Sequence, residues 1–262
     1  MQDVAKLPFT CPRCGQCFQK FQPHKGRENA NRHACLEMTF DHVLCRYLLH
    51  LDRVPYFIQI GAFDGVSSDP LHFYVRRGLL KGCLVEPQAD AFEKLRANYA
   101  GCAGLSFKRA AIGAQSGTSI LYRVRPGTAG PKWLPQIASF RKEVLLKHAS
   151  RVPGLEQAVL VETVPVVTFE DLLTELRVTP DIVVIDTEGY DFEVIKLLNV
   201  PLRKPSIILY EDKHLRVEDQ MACLQLLASV GYLMAKSGRQ DMVAYLGGVS
   251  AEPPAAPDRR RD

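Results

Sequence analysis

The sequence predicts an α/β fold with a mostly parallel β-sheet, preceded by a small Cys/His-rich module. Short β-branched or apolar runs alternate with helical patterns through the middle of the chain, which is typical of βαβ units. Cysteines crowd the first 35 residues, which favours a metal-binding module over core packing there. With 262 residues, 47% of them hydrophobic, the chain has ample apolar material for a large core.

Five compact apolar runs predict the strands, because runs of this kind are buried on both faces of a parallel sheet. They lie at 56–60, 82–86, 106–112, 182–186 and 206–210. Helical patterns predict helices at 70–77, 89–99, 169–176, 192–198 and 217–230. The segments 231–235 and 242–246 flank a polar connection and predict a closing β-hairpin.

The segment 123–165 breaks this rhythm with glycines, prolines and the only tryptophan, Trp133, followed by a helical pattern at 137–149. Two interpretations stay open: an insertion over a binding cleft, or a surface excursion with its own packing patch. The end of the chain is rich in Pro, Ala and Arg, and we expect it to be disordered. The predicted organisation is a Cys/His-rich module at 1–38, an α/β domain at 39–249 and a tail at 250–262.

Composition excludes several classes of protein. The 33 Lys+Arg and 29 Asp+Glu residues give a net charge of +4, which is not that of a dedicated nucleic-acid binder. No stretch approaches the roughly 20 apolar residues of a membrane span. Eight cysteines are too few for a disulfide scaffold. The first residues lack the pattern of a secretory signal, so we expect an intracellular, cytoplasmic protein.

A glycine-containing loop follows the first predicted strand. Gly61 and Gly65 have the spacing G-x-x-x-G, and the absence of G-x-G-x-x-G argues against a nicotinamide or flavin dinucleotide. Glu86 ends the second strand, about 20 residues further on, where an acid holds ribose hydroxyls in open α/β sheets. The combination predicts a nucleoside with free ribose hydroxyls. The alternative is an ordinary turn beside a solvated glutamate.

A second acidic cluster is expected at the same edge of the sheet. Asp186 follows one buried strand, and Glu211 and Asp212 follow the next. Three oxygen ligands from neighbouring strand ends suit a partly hydrated Mg²⁺ that lowers the pKa of a substrate hydroxyl. Alternatively, the carboxylates orient substrate and cofactor while His214 acts as general base. Solvated loop acids are the third possibility.

Several stretches together resemble the FkbM family of S-adenosylmethionine-dependent methyltransferases. The resemblance covers about 56–246, and its order and spacing make it specific. The matching stretches are 57–65, 85–98, 110–113, 167–173, 181–191 and 207–211.

The resemblance implies a Rossmann-like, seven-stranded class I methyltransferase fold whose final hairpin is antiparallel. It implies that the loop of the first strand contacts the cofactor, that Glu86 holds the ribose and that Ala111 lies beside the adenine. The implied loop residues are Gln59, Gly61, Asp64 and Gly65.

The family's usual activity is O-methylation of hydroxyls on sugars or natural products. The candidate catalytic residues are His214, Asp186 and Glu188. Trp133 and Tyr190 are candidates for the acceptor pocket.

The first 35 residues contain a C-x-x-C knuckle at Cys11 and Cys14 and a downstream pair, His33 and Cys35. This set predicts a small zinc module, with Cys17 or His24 as alternative ligands. A cysteine-bearing flexible arm is the other interpretation. A zinc module here would contact protein or nucleic acid through its basic side chains.

The sequence therefore predicts an S-adenosylmethionine-dependent methyltransferase acting on a small-molecule hydroxyl. The alternative is a catalytically silent scaffold whose zinc module binds protein or nucleic acid. A nicotinamide dehydrogenase ranks third.

Overall fold

The structure, a computed structural model, describes residues 9–10, 17–18 and 39–247. The first two stretches form β1 (Phe9–Thr10) and β2 (Cys17–Phe18), which pair antiparallel. The predicted zinc ligands lie outside the described residues, as does the tail at 250–262; these ligands are Cys11, Cys14, His33 and Cys35.

The remaining elements alternate between strands and helices, as the sequence predicts. In chain order they are α1 (Phe40–Leu49), β3 (Tyr56–Ile60), α2 (His72–Arg76), β4 (Lys81–Val85), α3 (Ala89–Asn98), β5 (Leu105–Lys108), β6 (Ala111–Ile112), β7 (Gly117–Val124), β8 (Ala138–Ser139), α4 (Lys142–Leu146), α5 (Leu155–Ala158), β9 (Val159–Val167), α6 (Phe169–Leu176), β10 (Ile182–Ile185), α7 (Asp191–Leu197), α8 (Val200–Arg203), β11 (Ile207–Glu211), α9 (Val217–Ser229), β12 (Tyr232–Ser237) and β13 (Asp241–Leu246).

A seven-stranded sheet forms the centre, in the order β12-β13-β11-β10-β3-β4-β5. Neighbours from β11 to β5 are parallel, and β13 runs antiparallel to both β11 and β12. Strand order reverses between β3 and β10. Open α/β sheets bind ligands at such a switch point, outside the carboxyl ends of the strands. The predicted α/β fold with a final antiparallel hairpin is confirmed.

Helices cover both faces of the sheet. Successive side chains of a strand point to opposite faces, and because the central strands are mostly apolar, both faces must be covered. Phe57 and Ile182 pack on the face covered by α1, α2 and α3. Ile58 and Val183, their neighbours in sequence, pack on the face covered by α6, α7 and α9. The result is three layers, in which the central strands β4, β3, β10 and β11 are buried almost throughout, while the edge strands β5 and β12 are partly exposed.

A second, four-stranded sheet has the order β6-β9-β7-β8 and contains the segment that breaks the sequence rhythm. The strand predicted at 106–112 is wrong as a single element. The chain leaves the main sheet after Lys108, and Ala111–Ile112 pairs instead with the end of β9.

The helix predicted at 137–149 is also wrong over most of its length. Ala138 and Ser139 pair with Arg123 and Tyr122 of β7, which holds them in a strand. Only Lys142–Leu146 is α-helical within this stretch.

Both interpretations of the inserted segment describe part of it. It has its own apolar cluster, in which Leu134, Leu145 and Val152 are buried and Trp133 packs against them. It also supplies Gln136, Ala138 and Phe140 to the lining of a cleft at the switch point. The part of the chain that the structure describes has no helix long and apolar enough to cross a membrane.

Candidate active site

A cleft opens at the carboxyl ends of β3, β4 and β10, where the sheet order reverses. One half is lined by the loop after β3 and by residues following β4. The other half is lined by residues following β10 and by the inserted segment. We refer to them as the first half and the second half of the cleft.

Glu86 is the central residue of the first half. It follows β4 directly and is only 2% exposed. The backbone N–H groups of Phe63 and Gln88 each donate to one of its carboxylate oxygens at 2.8 Å. Burial raises the pKa of Glu86 to about 7, although these hydrogen bonds lower it.

Two side-chain amides beside Glu86 have oxygens with no partner. The Gln59 amide nitrogen donates to Asp69 at 3.2 Å, while its Oε1 is buried without a hydrogen bond among the described residues. The Oε1 atom of Gln88 is likewise buried and unpartnered within residues 39–247. Both side chains line the cleft. Buried acceptors without partners are rare, so the first half is built to receive hydrogen-bond donors from a ligand.

The loop after β3 holds these residues at a close backbone crossing. Gly61 has φ of +80°, and a Cβ at this position would lie 1.8 Å from the backbone oxygen of Asp186. Its N–H donates to the carbonyl of Val85 at 2.9 Å. Glycine is therefore required to join the ends of β3, β4 and β10.

The predicted loop residues Asp64 and Gly65 have structural contacts outside the cleft lining. The Asp64 carboxylate accepts from the backbone of Val66 and Ser67 at 2.9 and 2.7 Å. A Cβ on Gly65 would lie 2.4 Å from the Tyr99 ring, so this glycine permits packing against the α3 side of the sheet. Four of the residues predicted to contact a cofactor do line the cleft: Gln59, Gly61, Glu86 and Ala111.

The second half of the cleft is acidic. Asp186 and Glu188 line it together with Tyr190. The Asp186 side chain is accessible from the cleft. The surrounding protein nevertheless desolvates its carboxylate, which raises the pKa of Asp186 well above the usual value. The negative charges of Glu188 and Asp191 raise this pKa further. The ring of Tyr190 packs edge-on against Phe140 at 5.1 Å and forms an aromatic wall.

Behind this wall, Asp191 organises the loop after β10. It is fully buried and accepts from the Thr187 hydroxyl and the Gly189 N–H at 3.1 Å and from the Glu211 N–H at 3.3 Å. Burial raises the pKa of Asp191 to about 7. The loop also places Glu188 in a left-handed conformation with φ of +51°.

The structure brings His214 to Glu188 and Glu211, and it separates Asp212 from them. The Nε2 atom of His214 lies 3.0 Å from Glu188 Oε2 and 3.8 Å from Glu211 Oε2. Burial, with the nearby carboxylates, raises the pKa of Glu211 to about 10. Asp212 instead pairs with Lys236. Of the predicted group Asp186, Glu211 and Asp212, the structure places Glu211 beside Glu188 and His214, whose potential ligand atoms lie within 4.8 Å of one another.

Sequence reasoning missed three residues of this region. Gln88 follows Glu86 by two positions and lines the same cleft, so its nearness to Glu86 in the sequence was the signal that could have identified it. Ser139 donates its hydroxyl to the Glu188 carbonyl at 2.8 Å, a contact between distant segments that has no sequence signal. His148 packs against His214 with 5.8 Å between ring centroids. On its other side lies Trp133, at 4.8 Å, so the tryptophan belongs to this cluster and not to the cleft lining.

The strand order, the reversed β13 and the cleft at the switch point define a class I methyltransferase-like fold. The model of the family described as "Methyltransferase FkbM domain" matches residues 59–234, more than half of the chain. The chain therefore belongs to the FkbM methyltransferase family. A sequence search of curated proteins gave no significant match.

Solved structures that resemble the chain include three methyltransferases of low sequence identity. The methyltransferase FkbM of Methylobacillus flagellatus KT is 12% identical with a TM-score of 0.47, and the match covers 73% of this chain. This chain spans 43% of the length of that structure. Precorrin-6y C5,15-methyltransferase of Geobacter metallireducens GS-15 is 11% identical with a TM-score of 0.40, covering 79% of this chain and 87% of that one. The ribosomal protein L11 methylase of Lactobacillus delbrueckii subsp. bulgaricus is 10% identical with a TM-score of 0.39, covering 79% and 76%.

Proposed function

We propose that the protein transfers a methyl group from S-adenosylmethionine to a hydroxyl of a small molecule bound in the second half of the cleft. Membership of the FkbM family implies this methyl donor. When bound, S-adenosylmethionine supplies a methyl group on a positively charged sulfur, which an oxygen nucleophile can attack. The protein's own contribution is to align the two reactants and to exclude water.

The hydrogen-bonding character of the first half supports this donor. S-adenosylmethionine presents donors at its ribose hydroxyls, its adenine amino group and its ammonium group. The first half offers the Glu86 carboxylate and the unpartnered Oε1 atoms of Gln59 and Gln88. This set of buried acceptors is the single observation that carries the proposal, because without a ligand their desolvation is uncompensated. In this proposal Glu86 holds the ribose, and Ala111 contacts the adenine ring.

The second half supports a hydroxyl-bearing acceptor. Asp186 and Glu188 line it and can accept hydrogen bonds from hydroxyl groups, which orients an acceptor oxygen. The Phe140 and Tyr190 rings offer an apolar face of the kind against which a sugar or another ring packs. Because His214 is only 3% exposed and contacts Glu188, the proposal assigns the acceptor contact to the two carboxylates.

The experiment is transfer of an isotope-labelled methyl group from S-adenosylmethionine to a panel of sugars, polyols and phenols, with products identified by mass spectrometry. We expect a methyl ether product. Glu86→Ala should abolish turnover, and Glu93→Ala, an exposed acid on α3 outside the cleft lining, should retain it. Methylation on nitrogen or carbon alone would contradict the hydroxyl assignment, and equal turnover by the Glu86 variant would contradict the role of the first half.

A further inference from the structure

Glu188, Glu211 and His214 form a compact cluster at the base of the second half of the cleft. One potential ligand atom from each residue lies within 4.8 Å of the others. Glu188 comes from the loop after β10, Glu211 ends β11, and His214 lies in the turn that follows. That turn is closed by a hydrogen bond from the Leu215 N–H to the Asp212 carbonyl at 3.2 Å, which directs the chain back towards Glu188.

The donor atoms of this cluster are buried and unpartnered. The side chains of Glu211 and His214 are only 7% and 3% exposed. Glu188 Oε2, Glu211 Oε2 and His214 Nε2 make no hydrogen bond within the part of the chain that the structure describes. The Glu188 and His214 atoms are 3.0 Å apart, yet their geometry is not that of a hydrogen bond. The two atoms are therefore close to each other and to Glu211 without being joined by a hydrogen bond.

The separations of these atoms suit ligands of one metal ion. With carboxylate and imidazole ligands about 2.0–2.2 Å from a metal, two donor atoms lie roughly 3–4.3 Å apart, depending on the angle between them. The separations from His214 Nε2 are 3.0 Å to Glu188 and 3.8 Å to Glu211.

Among the described residues, no lysine or arginine forms an ion pair with Glu188 or Glu211. In the described region, the ion pairs of Glu188 and Glu211 are those with His214. The next residue in sequence, Lys213, donates to the Gln240 side chain instead. Buried like charges require a proton or a cation.

A separate observation concerns His148 of the inserted segment. It is only 7% exposed, its ring packs against His214, and its Nε2 also lacks a hydrogen bond to any described residue. A second buried imidazole with an unpartnered nitrogen therefore lies beside the cluster. Such a nitrogen can donate to a water or anion held by a metal ion at the cluster.

We propose that Glu188, Glu211 and His214 bind one divalent first-row transition metal ion, with positions open towards the second half of the cleft. The donor set decides the class of metal, because the imidazole ligand favours Fe²⁺ or Zn²⁺ over Mg²⁺ and Ca²⁺, and the two carboxylates also suit Mn²⁺. Three protein ligands leave further coordination positions unfilled, as in catalytic metal sites. Glu188 is the member of the cluster that lines the cleft, and through it the site adjoins the space proposed for a bound hydroxyl.

The role of the ion in methyl transfer rests on the proposed function. A metal-bound hydroxyl loses its proton at lower pH than a free one, and the proton passes to water. The resulting alkoxide oxygen forms the bond to the methyl carbon, while the carbon–sulfur bond of the donor breaks and its electron pair stays on sulfur. Metal binding itself does not depend on this role.

The test is titration of the full chain with Mn²⁺, followed by electron paramagnetic resonance of the unbound ion. Mn²⁺ is chosen because a thiolate-rich site such as the one predicted near Cys11 prefers softer metals. We expect one ion bound per chain. Glu211→Gln and His214→Gln should each weaken binding at least about tenfold, as loss of a ligand or its support does. Asp212→Asn should leave affinity within about twofold, because this carboxylate pairs with Lys236.

Each outcome supports or overturns the proposal. Competition by Zn²⁺ at far lower concentration than by Mg²⁺ supports the donor set, and equal competition by Mg²⁺ overturns the choice of metal. Absence of saturable Mn²⁺ binding by folded wild-type protein overturns the site, whether or not the variants fold. Loss of binding in Asp212→Asn with retention in His214→Gln also overturns it.

S-adenosylhomocysteine binding, measured on the same samples, separates this proposal from the proposed function. If the cofactor product binds and Mn²⁺ does not, the metal site alone is wrong. If Mn²⁺ binds and the cofactor product does not, the metal site stands and the proposed function is wrong.

Discussion

Glu86 combines a structural and a ligand-binding position in one side chain. Its two oxygens accept from Phe63 and Gln88 backbone N–H groups, which ties the loop after β3 to the chain after β4. Under the proposed function, the remaining lone pairs of the carboxylate accept from ribose hydroxyls. Because burial brings its pKa to about 7, its charge changes within the range of ordinary binding experiments.

We predict that affinity for S-adenosylhomocysteine falls as the pH is lowered below about 7, by up to about tenfold per pH unit. The ionised carboxylate accepts from both ribose hydroxyls, whereas the protonated form has lost that capacity at one oxygen. Titration calorimetry from pH 5.5 to 8.5 measures this change in affinity, which amounts to at most about 1.5 decades between pH 7 and 5.5 and levels off above pH 7. Glu86→Gln should flatten the profile and Glu93→Gln should not; a pH-independent wild-type affinity would contradict the assignment.

The same group has the opposite effect on stability. The folded pKa is raised from 4.5 to about 7, so the folded state binds the proton more tightly than the unfolded state. The contribution of Glu86 to the free energy of unfolding is therefore present below pH 4.5 and is lost as the pH rises through about 7. Affinity should rise over the window in which this contribution falls, which distinguishes ligand binding from a general gain in stability.

Gly61 is required by a close backbone approach, and this gives a second prediction. Gly61→Ala should lower the free energy of unfolding by at least about 3 kcal/mol, because it adds a clash with the Asp186 carbonyl to the cost of a left-handed residue. Gly78→Ala is the matched control. Gly78 has φ of +68°, and a Cβ there meets nothing within 4 Å among residues 39–247. Gly78→Ala should lower the free energy of unfolding, measured with urea, by only about 1–2 kcal/mol. Equal losses in the two variants would exclude the close approach of Gly61 to the Asp186 carbonyl as the cause.

At the scale of elements, the inserted β8 is attached to the loop that carries Glu188. The Ser139 hydroxyl donates to the Glu188 carbonyl and accepts from the Arg141 N–H at 3.1 Å. Phe140 packs against Tyr190 next to this contact. The insertion and the loop after β10 therefore form the second half of the cleft together.

We predict that Ser139→Ala separates the two halves functionally. It should raise the KM for the acceptor by roughly three- to tenfold, since a lost buried hydrogen bond costs about 1 kcal/mol. Affinity for S-adenosylhomocysteine should stay unchanged, because Ser139 does not line the first half. Ser229→Ala is the control, because the Ser229 hydroxyl is exposed and, among the described residues, donates only to the carbonyl of Leu226 in its own helix. An equal loss of cofactor affinity would show a general structural effect instead.

The main sheet was predictable from sequence because each of its central strands is a continuous apolar run buried on both faces. The second sheet was not, since β9 alternates buried and partly exposed positions and contains Pro165 and the charged Glu162. Such a pattern predicts a strand only weakly, because the strand is specified mainly by its pairing with β7. The helix predicted at 137–149 failed for the same reason, because strand pairing overrode local propensity.

For the site, sequence order placed acids at the correct edge but could not tell which side chains meet. Asp212 and His214 are two residues apart, yet the turn after β11 directs one to Lys236 and the other to Glu188. Contacts such as that between Ser139 and Glu188 depend on segments 49 residues apart, and only the folded chain brings them together.

At the scale of the whole molecule, the two halves of the cleft are formed by different parts of the fold. The first half belongs to the main sheet and carries a set of acceptors suited to a donor common to the family. The second half combines the ends of β10 and β11 with the inserted sheet, so we expect substrate specificity to depend mainly on the insertion. Changes at Phe140 or Gln136 should therefore alter acceptor choice without altering cofactor affinity.

The most direct test of the central claim is isothermal titration of the full chain with S-adenosylhomocysteine, for wild type, Glu86→Ala and Glu93→Ala. We predict saturable binding at one site per chain in wild type and in Glu93→Ala, and at least about a hundredfold weaker binding in Glu86→Ala, the cost of losing charged hydrogen bonds. Circular dichroism confirms that each variant is folded. Absence of binding by folded wild-type protein, or equal affinity in all three, would contradict the account.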